Sequence, residues 1–229
     1  MTPPVELTLD TPAGRVSALL LAPPQAFAGL TFAHGAGAGM HHRFMAAVAE
    51  ELAAAGVASL RFQFPSREAG KSRPDTPDVA VATVRAAVAE AVRHLGGLPL
   101  FAGGKSFGGR MTSTAAADPA GLDPVKGLVF FGFPLHPPKR AATTRGDHLD
   151  RVAQPMLFLQ GTRDDLADVA LIRRVKRRLG ARATLHIIDE ANHAFAVPKR
   201  TGKTEADVMA ELAGTAATWM KGIIGAASG

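Results

Sequence analysis

Residues 101–110 read FAGGKSFGGR, and the stretch admits two unrelated chemistries. G-K-S closes the phosphate-binding pattern G-x-x-x-x-G-K-[ST], in which several backbone N–H groups curl around phosphates. Counting back from Gly104 puts the first glycine of that pattern at position 99, which is Pro99. Proline donates no N–H and fixes φ, so the pattern fails at its anchor. A second G-K-S, Gly70 to Ser72, lies in a polar loop with no strand before it, and GAGAG at 35–39 misses the dinucleotide pattern G-x-G-x-x-G because Met40 takes the last position. G-x-S-x-G centred on Ser106 survives the same scrutiny. A serine at a sharp strand-to-helix turn adopts a strained backbone, so the residues two before and two after must be nearly without side chains. Gly104 and Gly108 meet that need, and Gly103 and Gly109 widen the margin. The apolar run LPLFA precedes the turn and a helical segment follows it. The plainer role for Ser106 is to cap that helix.

Working outward, β and α patterns alternate. VELTLD and VSALLLA flank the turn Pro12-Ala13-Gly14 and read as an antiparallel hairpin. LTFAHGA (30–36) is a buried strand running into a glycine loop. Residues 42–55 have helical spacing, and VASLRFQF is the next strand, broken by Pro65. A loop of 65–77 leads to a helix that Asp78 is expected to cap. After the turn at Ser106, VKGLVFFGF, PMLFLQG and ATLHIID are further strands, with helices at 168–179 and 204–224. The expectation is one α/β domain over 1–229, with a mostly parallel sheet, helices on both faces and an N-terminal antiparallel hairpin. Only 134–150, PLHPPKRAATTRGDHLD, lacks a clear element. It is expected as a short irregular flap over Ser106, too short for an inserted lid domain.

A serine hydroxyl is a poor nucleophile near neutral pH and needs an oriented base. On strand–turn–helix elbows the partners follow in the order Ser, acid, His. Asp164, three residues past Gly161 at the end of PMLFLQG, is the expected acid, with Asp165 as the alternative; Asp165 and Asp168 can equally cap the next helix. His193, in a loop past the strand ATLHIID, is the expected base. The oxyanion formed on attack needs two backbone donors: the N–H of Phe107 and one from the loop HGAGAG, where Ala36 is preferred over Gly35 and Gly37. Of the other histidines, His34 is expected to shape its loop, and His41 and His42 to lie at the surface; for His136 and His148 surface placement is expected, with reach toward a substrate as the alternative. Lys105, Arg110, Arg61 and Arg67 flank these positions; preference for an anionic substrate is one reading, and pairing with nearby carboxylates is the commoner one and the expectation.

Composition narrows the classes. The 229 residues contain no cysteine, which removes disulfides and thiolate chemistry, and 47% are apolar, enough to fill a core. No histidine spacing suggests a metal site, and no cofactor is expected. The N-terminus lacks the basic and apolar regions of a secretory signal, and no apolar run reaches the roughly 18 residues of a membrane span. A cytoplasmic protein without membrane contact is expected. The net charge of +6 invites a nucleic-acid reading. In the basic run IRRVKRRLG, however, Leu171, Ile172, Val175 and Leu179 share one helical face with the cations opposite, as in a solvated surface helix. No nucleic-acid partner is expected, and the sequence does not speak to oligomeric state.

On the motif around Ser106, Asp164 and His193, the chain resembles the α/β-hydrolase fold over essentially its whole length. More narrowly it resembles small lidless hydrolases related to dienelactone hydrolases, within a group with R-F-x-F-P (Arg61 to Pro65) and G-K-S-x-G-G-R (Gly104 to Arg110). Dienelactone hydrolases use a cysteine nucleophile, so Ser106 departs from them and their substrate is not carried over. The resemblance and the residues together imply a serine hydrolase of carboxylic esters, with short acyl chains. The same machinery also serves peptidases, thioesterases and C–C bond hydrolases, and the rival class is a non-catalytic binding protein on the same fold.

Overall fold

The computed structural model describes residues 3–226. Eight strands form one sheet: β1 (Val5–Thr11), β2 (Gly14–Leu21), β3 (Ala28–Ala33), β4 (Val57–Phe62), β5 (Leu100–Lys105), β6 (Leu128–Phe131), β7 (Met156–Arg163) and β8 (Ala183–Asn192). Their order across the sheet is β1-β2-β4-β3-β5-β6-β7-β8. β1 pairs antiparallel with β2, and β2 with β4; every pairing from β4 to β8 is parallel. Parallel strands covered on both faces read as continuous apolar runs rather than alternating ones. β3, β4 and β6 are accordingly buried at every position.

Six α-helices cover the two faces: α1 (Arg43–Ala54), α2 (Pro65–Glu68), α3 (Pro77–His94), α4 (Phe107–Ala117), α5 (Val169–Leu179) and α6 (Glu205–Ala226). On one side α3, α4 and α5 pack Val84, Met111 and Ile172 against Leu60, Phe130 and Phe158. On the other, α1 and α6 pack Phe44, Val48 and Leu212 against Leu30, Phe32 and Leu157. α5 presents the expected two faces, burying Ile172, Val175 and Leu179 while Arg173, Arg174 and Arg177 face solvent. No helix among the described residues is long and apolar enough to cross a membrane.

Four local expectations change. Pro65 opens the single turn of α2, because a proline at the first helical position removes an N–H that has no intrahelical partner anyway. Asp78 does not cap α3: Thr76 is the cap residue, Pro77 follows, and Asp78 lies in the first turn. Residues 134–150 are not wholly irregular, since Thr144–Arg151 forms a 3-10 helix. His136 and His148 are not surface groups. His136 is buried and its Nε2 accepts the Asp168 N–H at 3.0 Å. His148 is half-buried, with Nε2 2.8 Å from Ser113 Oγ. Both fasten the segment to the body of the molecule.

Candidate active site

β5 ends at Lys105 and α4 begins at Phe107, so the chain reverses direction at one residue, Ser106. Its backbone stands at φ 50° and ψ −115°, a region that L-residues occupy only under constraint. The constraint is close packing. A Cβ on Gly104 would lie 2.5 Å from the Ala33 carbonyl oxygen, and one on Gly108 2.4 Å from the same atom. Gly103 and Gly109 are as tightly held, at 2.0 Å from Val129 O and 2.7 Å from Gly104 O. Ser106 sits at the cap position of α4, yet its side chain makes no cap hydrogen bond.

That side chain is engaged elsewhere: Ser106 Oγ is 2.8 Å from His193 Nε2. His193 Nδ1 is in turn 2.8 Å from Asp164 Oδ2. A carboxylate only accepts, so the Nδ1 proton belongs on His193 and Nε2 keeps the lone pair that faces the serine O–H. Three residues, each the first after β5, β7 and β8, thus meet at the carboxyl ends of parallel strands, where such sheets place their sites. Of the two neighbouring acids, Asp164 reaches the imidazole. Asp165 is exposed, and Asp168 caps α5 by accepting the Ala170 and Leu171 N–H groups at 2.8 and 3.1 Å.

Asp164 is buried, its side chain 1% exposed, against 22% for His193. Its other oxygen accepts the Leu166 N–H at 2.8 Å. Gln160 Nε2 donates to Oδ2, while Gln160 Oε1 accepts the Phe133 N–H at 3.0 Å. Gln160 is fully buried and fixes the orientation of the acid. Its signature in the sequence is slight: a lone amide inside the apolar run PMLFLQG.

The loop after β3 closes the other side. A Cβ on Gly35 would lie 3.8 Å from the Ser106 Cβ, and Ala36 borders the Ser106 cleft on one side and a small depression shared with Phe107 on the other. Phe107 opens α4, where an N–H has no intrahelical acceptor. His34 holds this loop in place. Its Nε2 accepts the Phe64 N–H at 3.2 Å, so Nδ1 carries the proton and donates to Gly35 O at 2.7 Å. Burial lowers the His34 pKa to about 4, and the ring stays neutral.

The cleft measures about 340 Å³ and is lined by Gly35, Ala36, Phe44, Met45, Leu166 and Ala194 among others. Residues 134–150, expected as a cover over Ser106, contribute none of its described lining. They are drawn instead toward α5 and α4, as in the Arg178 bond to Gly146 O at 2.8 Å. The four flanking cations also differ from expectation: among the described residues none forms an ion pair with a carboxylate. Arg61 Nη1 donates to Met40 O at 3.1 Å and Lys105 Nζ to His193 O at 2.6 Å.

The fold is shared with solved structures of low sequence identity. An alpha-beta serine hydrolase homologue from Coxiella burnetii superposes with TM-score 0.74 at 18% identity, over 94% of this chain and 98% of that one. A dienelactone hydrolase from Anabaena variabilis gives TM-score 0.75 at 22% identity, over 96% and 98% of the two chains. A serine hydrolase without lid from Xanthomonas campestris gives 0.68 at 24%, over 85% and 88%. The family model described as alpha/beta hydrolase domain matches residues 26–221, and the chain therefore belongs to the alpha/beta hydrolase domain family.

Proposed function

We propose that the protein hydrolyses carboxylic esters of short acyl chains by acyl transfer through Ser106. The observation that carries this reading is the unbroken hydrogen-bonded line from Asp164 through His193 to Ser106, with 2.8 Å at each junction. Ser106 Oγ attacks the ester carbonyl as His193 Nε2 takes its proton. Negative charge then develops on the carbonyl oxygen, where the Phe107 and Ala36 N–H groups receive it; such a donor contributes about 3 kcal/mol in well-measured cases. The imidazolium, held by ionised Asp164, returns the proton to the leaving alkoxide and the alcohol departs. Water repeats the sequence on the acyl-serine and releases the acid. No metal or organic cofactor enters any step.

A fluorophosphonate probe tests the reading, since it labels only an activated serine. Labelling of the wild type at Ser106, together with turnover of p-nitrophenyl butyrate, is the expected result. Ser106→Ala should abolish labelling and reduce turnover by a factor on the order of 10⁴ to 10⁶, and His193→Ala should cost about as much. An inert Ser106 in a folded protein would assign the chain to the non-catalytic class instead.

A further inference from the structure

Lys105 precedes the nucleophile, and its long side chain does not run out into water. Its Nζ donates to the His193 carbonyl oxygen at 2.6 Å. The same ammonium lies 5.3 Å from the ring centre of Phe195 and 5.7 Å from that of Phe44. These two rings are themselves stacked at 5.7 Å. Gly132 fixes the location further. A Cβ there would be 3.1 Å from Lys105 Nζ, 3.5 Å from His193 Cε1 and 3.6 Å from Asp164 Oδ2, so all three groups surround one point. The lysine stands beside the Asp164–His193 pair.

What it grips is a small closed turn. Asn192 Oδ1 accepts the Ala194 and Ala196 N–H groups, and Asn192 N donates to Ala196 O at 3.1 Å. Phe195 takes a positive φ of 64° within it. The turn is braced internally, and the imidazole is carried on it. Lys105 ties that unit to the elbow that bears the nucleophile. Both halves of the tie depend on charge: an ionised donor binds a carbonyl more tightly than a neutral amine, and the attraction to the two rings requires a cation.

We propose that Lys105 is a positioning residue whose charged ammonium clamps the His193 turn against the nucleophile elbow and keeps the imidazole in bonding range of Ser106. This rests on the serine-hydrolase reading above. The titratable and charged groups facing the ammonium are Asp164 after β7 and His193 after β8. Along the same cleft lie His42 and Arg43 at the start of α1, and Glu205 at the start of α6, which pairs with Arg43 at 3.5 Å. Burial brings the lysine down to about 8, against the opposing attraction of Asp164. The clamp therefore releases within an accessible alkaline range.

The test is the pH dependence of kcat and KM for p-nitrophenyl butyrate between pH 6 and 10, in the wild type, Lys105→Met and Lys105→Arg. In the wild type kcat should fall above a midpoint near the lysine's value of about 8. Lys105→Met should lower kcat by about 10- to 100-fold, the cost of a misplacement on the order of 1 Å, with KM unchanged and no alkaline fall. Lys105→Arg should also lose the alkaline fall, because a guanidinium does not titrate there, at a kcat between the other two. Wild-type kcat and an unchanged alkaline limb in Lys105→Met overturn the proposal. If that variant does not fold, a wild-type alkaline limb in Lys105→Arg overturns it equally. Ser106→Ala separates the two levels: if it retains turnover, the serine reading and this one fall together. If it is inactive while Lys105→Met is unaltered, only the clamp falls.

Discussion

Asp164 and Asp165 are adjacent carboxylates with opposite surroundings, and the difference has a kinetic reading. Asp164 is buried, oriented by Gln160 and the Leu166 N–H, and touches His193; Asp165 is exposed. Asp164→Asn should lower kcat by about 10⁴, because the amide favours the wrong imidazole tautomer, whereas Asp165→Asn should stay close to wild type. Steady-state kinetics on the two variants decides it, and the reverse ranking would move the acid role to Asp165. His34 offers a second residue-scale prediction, in stability. Burial lowers its folded pKa to about 4 from an ordinary 6.5, so the unfolded chain takes up the proton first. Stability is then full above the unfolded value and falls as pH drops through the window from 6.5 toward 4. The linkage predicts a loss of about 2 kcal/mol between pH 7 and pH 5, and half-buried His148, also lowered to about 4, adds in the same sense. Urea unfolding at the two pH values, compared between wild type and His34→Gln, isolates the His34 share. An identical pH drop in both proteins would refute it.

Among the elements, β5 and α4 pack against β3 and β6 with no room for a side chain at four glycines. Gly108 has its missing Cβ 2.4 Å from Ala33 O and 2.6 Å from His34 O, and these backbone atoms cannot move without displacing the end of β3 and the loop that follows it. Gly108→Ala should therefore destabilise by about 3 kcal/mol, the upper range for overpacking, seen as a lower urea midpoint with unchanged m; a variant as stable as wild type would contradict the packing. The turn itself was legible from the four glycines around Ser106, and the alternation of apolar runs gave the parallel sheet. Contacts between elements were not legible in the same way. His136 and His148 looked like surface groups because their partners, Asp168 N and Ser113 Oγ, are 32 and 35 residues away. Lys105 has a backbone carbonyl 88 residues distant as its acceptor, and a carbonyl leaves no mark in sequence. Proline at 65 read as a breaker because a one-turn helix has no periodicity to detect.

For the whole molecule, the proposed function would place the acyl end of an ester in a cleft of about 340 Å³, at the small end of the range for small-molecule sites. Butyryl esters should be turned over with higher kcat/KM than palmitoyl esters when both are held below their micelle concentrations, and the opposite order would refute the short-chain reading. Activity should rise smoothly through the micelle concentration, with no jump at a lipid–water interface, since no described segment must move off the cleft.

The seating of residues 134–150 away from Ser106 bears on what happens after the first alcohol leaves. An enzyme that closes over its intermediate shuts out water and can choose its second acceptor. Here the walls of the cleft come from the loop after β3, α1 and the His193 turn, and the acyl-serine would face bulk solvent throughout its life. Water, by concentration alone, wins the competition with added alcohols. On the proposed mechanism, acid release would follow from the architecture as much as from the chemistry of the three side chains, and ester synthesis in aqueous solution would be disfavoured.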